Sequence, residues 1–364
     1  MAGIFAFMAG ILNWFIGGIG IFAFTNITPL QNPKVYGNNH LNPFEEFDDE
    51  RFLSEFRMTK SEVRDLCFLL QEPLKCVGSR KCDLSLEQKV LLSLKTLGTG
   101  SFQNTAKFLF GVSQPLVSNV LGAFVNAMVK ISHKFIYMPR NEAERSKIKS
   151  DMYKVARFPG ILGLIDGTHV PLIAPKDEEY LYVNRRKFHS INVQAVCDAN
   201  GVYLDVVAKY PGQNHDSYIL QASELYDRFV AKEFGDGWLL GDSGYPLKAW
   251  LMTPISEPHS AAEKKFNKAH RKTRCIVERS FGILKSRWRI LDHTGGTLCY
   301  KPAKVCKIIL TCMILHNICR RNGTPLIDGP SQEPEIIGDD QHDNSRSLSG
   351  ERQRQRLINN VFRD

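Results

Sequence analysis

An aspartate stands in the middle of an apolar, β-branched run. Ile161–Ile173 reads as a strand, and Asp166 follows Ile161-Leu162-Gly163-Leu164-Ile165 and precedes Val170 and Leu172. Burying a carboxylate there is costly unless something neutralises it. The same situation recurs at Asp242, directly after Trp238-Leu239-Leu240-Gly241. Either residue alone could simply end a strand and cap the next turn. Two of them point to oxygen ligands gathered around a divalent cation.

The surrounding pattern sets the order of elements. Ile191–Cys197 and Val202–Ala208 flank Asp198-Ala-Asn-Gly201, a hairpin turn. Ser217–Val230 reads as a helix, Trp238–Leu240 as a short buried strand, and Arg274–Arg289 and Lys304–Arg320 as helices. This is the order of an α/β layer on a mixed sheet. Two further acids belong to it. Asp216 follows the Tyr210-Pro-Gly-Gln-Asn-His215 turn at a helix start, where it would serve equally as an N-cap. Glu278 lies beside the apolar stripe Val277, Phe281, Leu284, Trp288, in the row Arg274, Glu278, Gly282, Lys285, Arg289. Taken alone it is a plain i,i+4 partner of Arg274.

The ordered set says more than its members. An acid on the first strand, one on the fourth and a glutamate on a later helix describe a ribonuclease H-like nuclease site. In that fold the first and fourth strands are neighbours, so Asp166 and Asp242 would meet at one sheet edge beneath Glu278. Two metals about 3.5–4 Å apart could then activate a water or a 3′-hydroxyl for phosphodiester chemistry.

Charge supports a polyanionic partner. The chain has 364 residues, and 47 Lys and Arg against 38 Asp and Glu give a net charge of +9. Between Ala261 and Ile290 ten Lys or Arg face only Glu263 and Glu278, a net +8, and Arg185, Arg186 and Lys187 form a second cluster. Such one-signed stretches read as phosphate-binding surfaces with steep salt dependence. His215 reads as a hydrogen-bonding or DNA-contacting group rather than a metal ligand.

These residues resemble a known family. Gly163-Leu-Ile-Asp166-Gly-Thr-His169, Tyr182-Val-Asn-Arg-Arg-Lys-Phe-His189-Ser-Ile-Asn192, Pro211-Gly-Gln-Asn-His-Asp216-Ser, Leu240-Gly-Asp242-Ser-Gly-Tyr245 and Val277-Glu278-Arg-Ser-Phe-Gly-Ile-Leu-Lys285 look like the PIF/Harbinger transposases over about residues 45 to 320. The resemblance implies a DDE endonuclease fold, a divalent metal (Mg2+ or Mn2+), DNA as substrate, and a nuclear location with some protein in the cytoplasm. Carried over by motif, Asp166, Asp242 and Glu278 are the catalytic triad, and Asp216 is an additional metal-site carboxylate. Arg185, Arg186, Lys187, His189, Arg271, Lys272, Arg274 and Lys285 are the expected DNA contacts. In this family a separate Myb-like protein supplies DNA binding and nuclear entry. A homo-oligomer is left open.

The amino-terminal half is helical in pattern. Glu62–Leu70, Val90–Leu97, Phe102–Gly111 and Ser113–Ile131 fit helices, and Ser101 to Ile131 reads as helix-turn-helix. Gln114, Ser118 and Asn119 could touch base edges, but no Lys or Arg lies between Val112 and Val129, which leaves phosphate anchoring to Lys107 and Lys130. A small bundle that merely packs explains the pattern as well. The expected domains are therefore 1–41, an apolar extension; 42–150, the helix-turn-helix-like segment; 151–321, the DDE endonuclease domain; and 322–364, a polar, disordered tail with a short polar helix at Glu351–Arg363 as an option.

Three features fall outside this scheme. Residues 1 to 24 are uncharged and long enough to span a bilayer, but they lack the positive flank of a secretory signal. They read as an ill-defined extension or a gene-model artefact, with a membrane anchor as the weaker alternative. The nine cysteines contain no Cys-x-x-Cys pair. Cys299, Cys306, Cys312 and Cys319, with His316, read better as buried groups on an apolar helix than as a zinc site. Against the nuclease stands a domesticated DNA-binding or adaptor protein that keeps the carboxylates without turnover.

Overall fold

The computed structural model describes residues 42–74, 84–100, 111–327 and 347–363. The five strands form one mixed sheet in the order β3-β2-β1-β4-β5: β1 (Ile161–Pro171), β2 (Ser190–Cys197), β3 (Tyr203–Pro211), β4 (Trp238–Leu240) and β5 (Leu251–Met252). β1, β2 and β3 are antiparallel neighbours, whereas β4 runs parallel to β1 and β5 parallel to β4. The hairpin between β2 and β3 forms at the expected turn. The Asp198 carboxylate accepts the Asn200 and Val202 amides at 2.8 and 2.9 Å, and Gly201 takes φ +73°. This mixed α/β sheet is consistent with a DDE nuclease domain.

Among the described helices of eight or more residues, the amino-terminal ones are α1 (Asp49–Phe56), α2 (Lys60–Leu74), α3 (Leu86–Thr99), α4 (Gln114–Lys130) and α5 (Glu142–Ala156). The span expected as one helix over Ser217–Val230 is broken into α6 (Asp216–Gln221) and α7 (Glu224–Val230). The break falls at Ser223, whose hydroxyl caps the second piece by accepting the Tyr226 amide. Then follow α8 (Ala261–Arg287), α9 (Pro302–Asn322) and α10 (Leu348–Val361).

α8 begins 13 residues before the expected Arg274. Its first half is lysine-rich and its apolar stripe there thin, so periodicity understates it. The Ser260–Glu263 capping box, with both reciprocal bonds formed, marks the true start.

Alternation along the strands, shifted in β1 by a bulge between Ile161 and Gly163, sorts the core into two layers. Leu164, Val170 and Ala195 point to one face and pack with Val277, Phe281, Leu284, Ile308 and Leu315 of α8 and α9. Leu162, Ile165, Val196 and Leu204 point to the other and pack with Leu220, Leu225 and Phe229 of α6 and α7. Every residue of β2 is buried, because helices cover both of its faces.

α9 is, among the described residues, long and apolar enough to cross a membrane, but most of its apolar window is buried in this core. Of the groups expected to be buried on this helix, Cys312, Cys319 and His316 are buried in it, Cys306 is half-buried and Cys299 lies exposed before its start; His316 Nε2 lies 2.9 Å from the Gly201 carbonyl.

The helical segment and the sheet share one core. Phe52, Phe56, Leu66, Val90 and Phe124 belong to the same cluster as Trp288 and Val305, and residues 40–364 form one unit. Arg287, 4% exposed, ties them by donating to the carbonyls of Arg57, Thr324 and Pro325 at 2.9, 2.8 and 3.1 Å. The second helix of the helix-turn-helix reading is present as α4. The first, Phe102–Gly111, lies largely outside the described residues, as do residues 1–41 with their apolar stretch.

The segment read as a tail contributes a docked helix. α10 buries Leu357, Ile358 and Phe362, and the Phe362 ring lies 5.4 and 5.6 Å from those of Phe158 and Phe266. Three apolar side chains in an otherwise polar segment gave too weak a periodicity to announce this.

Candidate active site

Strand pairing brings the two strand acids level. β1 and β4 run parallel with Leu164 beside Leu240, so two residues further on Asp166 and Asp242 stand side by side at the ends of the paired stretch. Each is steadied by a local amide: Gly167 N donates to Asp166 Oδ1 at 2.9 Å and Gly244 N to Asp242 Oδ1 at 3.0 Å. Asp166 faces α8, which supplies Glu278 and, one turn earlier, Arg274. The Arg274 guanidinium donates to Asp166 Oδ2 at 3.2 Å and to Glu278 Oε1. Side-chain exposures of 13% for Asp166 and 18% for Arg274 and Glu278 show a largely dry cluster.

Electrostatics in this cluster is unbalanced. Burial pushes the Asp166 carboxyl well above the usual carboxylate range; Arg274 opposes that, and Asp242, Asp216 and Glu278 add to it. Burial by itself would lower Arg274, but Asp166, Glu278 and Asp242 outweigh it and hold the guanidinium above its ordinary value. Around Asp166, then, three further carboxylates face one resident cation.

Asp216 approaches from the other face of the sheet. Side chains alternate along β1, so the missing side chain of Gly167 would point away from α8. A Cβ there would lie 2.5 Å from Asp216 Oδ1, so glycine is what lets this carboxylate close on the strand. Asn192 on β2 holds it, donating from Nδ2 to Asp216 Oδ1 at 2.8 Å and to the Asn214 carbonyl at 2.9 Å. Beside it Tyr245 OH donates to Gln194 Oε1 at 3.4 Å, and burial first, then Asp216, Asp166 and Asp242, push the phenol far above its ordinary value. The roles of Gly167, Asn192, Gln194 and Tyr245 went unread in the sequence, although all but Gln194 lie within the quoted motifs.

The expected DNA contacts divide into two groups. The Arg185-Arg186-Lys187 turn is fixed from behind: Asn184 Oδ1 accepts the Arg186 and Phe188 amides at 2.9 and 3.3 Å, and Lys187 takes φ +62°. Arg185 lies 2.8 Å from His215 Nδ1, next to Asp216. Arg271 and Lys272 are exposed on α8.

The second group is less exposed. Arg274 is part of the carboxylate cluster, Lys285 donates to the His169 carbonyl at 2.9 Å, and His189 sits 3.1 Å from Glu179. Burial, followed by Arg186, lowers Lys285 to about 8 despite Asp292. Burial, then Lys285, Arg185 and Arg186, lowers His169 to about 4, a sign of how cationic this rim is.

A metal must be judged from the donor set. Among the described residues no three His, Cys, Asp or Glu side chains close on one point as they stand, and Arg274 bridges two of the carboxylates. The donors themselves fit a hard divalent cation: all are carboxylate oxygens, and together they carry more negative charge than Arg274 can balance.

A sheet edge with two strand acids, a helix glutamate above them and a cationic rim defines the class. Residues 165–317 match the family model described as DDE superfamily endonuclease. The chain is 36% identical to the protein named "Putative nuclease HARBI1" of Mus musculus, and also to that of Homo sapiens, over 89% of this chain and 95% of each relative. It is 29% identical to "Protein ALP1-like" of Arabidopsis thaliana over 78% of this chain and 72% of that one. No solved structure matches it. The chain belongs to the PIF/Harbinger transposase family of DDE superfamily endonucleases, as its motifs implied.

Proposed function

We propose that this protein, of Harbinger transposase origin, is a metal-dependent DNA endonuclease that cleaves phosphodiester bonds at the Asp166, Asp242 and Glu278 site by a two-metal mechanism. The observation that carries this reading is the placement of Asp166 on β1 and of Asp242 two residues past the end of its parallel neighbour β4, with Glu278 tied through Arg274 on α8 to Asp166. Asp166, Asp242 and Glu278 would hold Mg2+ or Mn2+, with Asp216 on the far face of β1 as an additional carboxylate nearby. When bound, the metal pair supplies Lewis-acid activation of the attacking oxygen and stabilises the leaving one.

The chain's own residues do the rest. Gly167 and Asn192 fix where Asp216 stands. Arg274 offsets part of the carboxylate charge and keeps Asp166 and Glu278 oriented. Arg185, Arg186 and Lys187 on their rigid turn, with Arg271 and Lys272 along α8, bind phosphates on either side and align the backbone over the carboxylates. Low exposure keeps bulk water from competing at the carboxylates. A nuclear location and a Myb-like DNA-binding partner belong to this reading through the family.

A supercoiled-plasmid nicking assay with Mg2+ or Mn2+ tests it, after Asp166→Ala and Asp242→Ala have been matched to the wild type in folding and DNA binding. Nicking by the wild type that disappears in both variants supports the nuclease. A wild type that binds DNA normally, alone or with its partner protein, and never cuts it favours the non-catalytic adaptor.

A further inference from the structure

The helix-turn-helix reading left a helix without cations, and the fold supplies them from elsewhere. Residues 112 to 141 contain no Asp or Glu, and neither do residues 297 to 327. These two acid-free stretches, which contain α4 and α9, lie side by side. Lys304 reaches across to the Ser118 carbonyl at 3.5 Å, and Lys307 donates to Asn126 Oδ1 at 2.8 Å. Further along, Asn317 and Arg321 both donate to the Phe135 carbonyl, at 3.0 and 2.9 Å. Arg140 and Arg321 flank the Tyr137 ring, 4.1 and 5.6 Å from its centroid.

Lys301, Lys304 and Lys307 recur every third residue, and Lys130 and Lys134 follow Asn126 on the α4 side. Lys130, Lys134, Lys301 and Lys307 are exposed, and no described carboxylate pairs with these four or with Lys304. Asp198 lies near Arg320 and Arg321, so the lysine end is the more strongly positive.

The seam also has a definite relation to the carboxylates. Just before α9, Leu298 bridges to Leu172 and accepts the Ile173 amide at 3.0 Å, which sets the start of the seam beside the end of β1. From Lys301 to Arg321 the row runs about 30 Å at about 1.5 Å per residue, the length of roughly nine base steps.

We propose that the α4–α9 seam is a second DNA-binding surface, which holds the duplex flanking the cut site by its phosphates. It rests on DNA being the substrate of the carboxylate site. α4 is not the only source of contacts in this arrangement, because Lys304 and Lys307 reach it from α9 at Ser118 and Asn126. The surface grips backbone and does not read sequence.

The test is fluorescence anisotropy of the full chain in EDTA, with a short duplex of about one helical turn and one of about three turns, over a salt titration. The variant carries Lys130→Gln, Lys301→Gln, Lys304→Gln and Lys307→Gln; a second restores charge with Lys→Arg at all four positions. For the long duplex the Gln variant should lose on the order of 10- to 100-fold in affinity and about 3 to 4 in the salt slope. The short duplex should bind as to the wild type, the Arg variant should recover, and unfolding midpoints should stay unchanged.

The inference is overturned if the Gln variant keeps the wild-type slope on the long duplex while Lys268→Gln, Lys272→Gln and Arg279→Gln on α8 reduce it; the nuclease reading would then stand. Tighter binding of an RNA duplex of equal length would also overturn it. A wild type that binds neither DNA duplex would take both readings down together.

Discussion

α8 and α9 both carry clusters of cations, and they use them in opposite ways. On α8, Arg274 is bonded to Asp166 and Glu278, Lys285 to the His169 carbonyl and Arg287 to three carbonyls. On α9, Lys304 and Lys307 cross to a neighbouring helix that has no acids, and Lys307 stays exposed. A count of net charge treats these residues alike. Part of the +8 on the α8 stretch holds the carboxylate cluster and the core together, and the lysines of α9, counted as ordinary helix residues, face a helix without acids.

That contrast gives a graded set of expectations. The largest effect on folding belongs to Arg287→Met, which leaves three carbonyls between the helical segment and the sheet without their donor. Chemical denaturation should show a loss of about 3 kcal/mol or more, and a loss below about 1 kcal/mol would contradict the tie. Gly167→Ala comes next. The new Cβ displaces the Asp216 carboxylate, so nicking should fall on the order of 10²-fold while the unfolding midpoint changes little. Equal activity would show that the close approach of Asp216 is dispensable.

Lys285→Met should reveal itself through pH. A lysine lowered to about 8 in the fold binds fewer protons folded than unfolded from there up to the unfolded value of about 10.4. Wild-type stability should therefore rise relative to Lys285→Met between those pH values, and run parallel to it below about 8. Parallel curves across the whole range would mean that the amine is solvated. The smallest effect is expected at Lys307→Gln, within about 0.5 kcal/mol of the wild type in urea unfolding.

How far the sequence discloses this molecule varies with the range of the interaction involved. Asp166 and Asp242 stand out because an acid after an apolar strand is locally anomalous, and Glu278 because helical spacing puts it beside a stripe. The strands and the hairpin follow from local pattern in the same way. The need for glycine at 167 depends on a carboxylate 49 residues away on the opposite face of the strand, which no local pattern carries. The break at Ser223 and the start of α8 at Ser260 were written in capping residues that the apolar periodicity outweighed. The pairing of α4 with α9 joins stretches nearly two hundred residues apart, so the cations that face carboxylates and those that face an acid-free helix could not be sorted before the fold was known.

The central claim is that the strand and helix carboxylates hold the metal with which DNA is cut. Asp166→Cys tests it most directly, because a thiolate in place of a carboxylate oxygen changes which metal the site prefers. The account predicts no nicking by this variant with Mg2+ and partial recovery with Mn2+ or Cd2+, while its DNA binding in EDTA matches the wild type. Nicking with Mg2+ at the wild-type rate would show that Asp166 does not touch the metal, and would contradict the account.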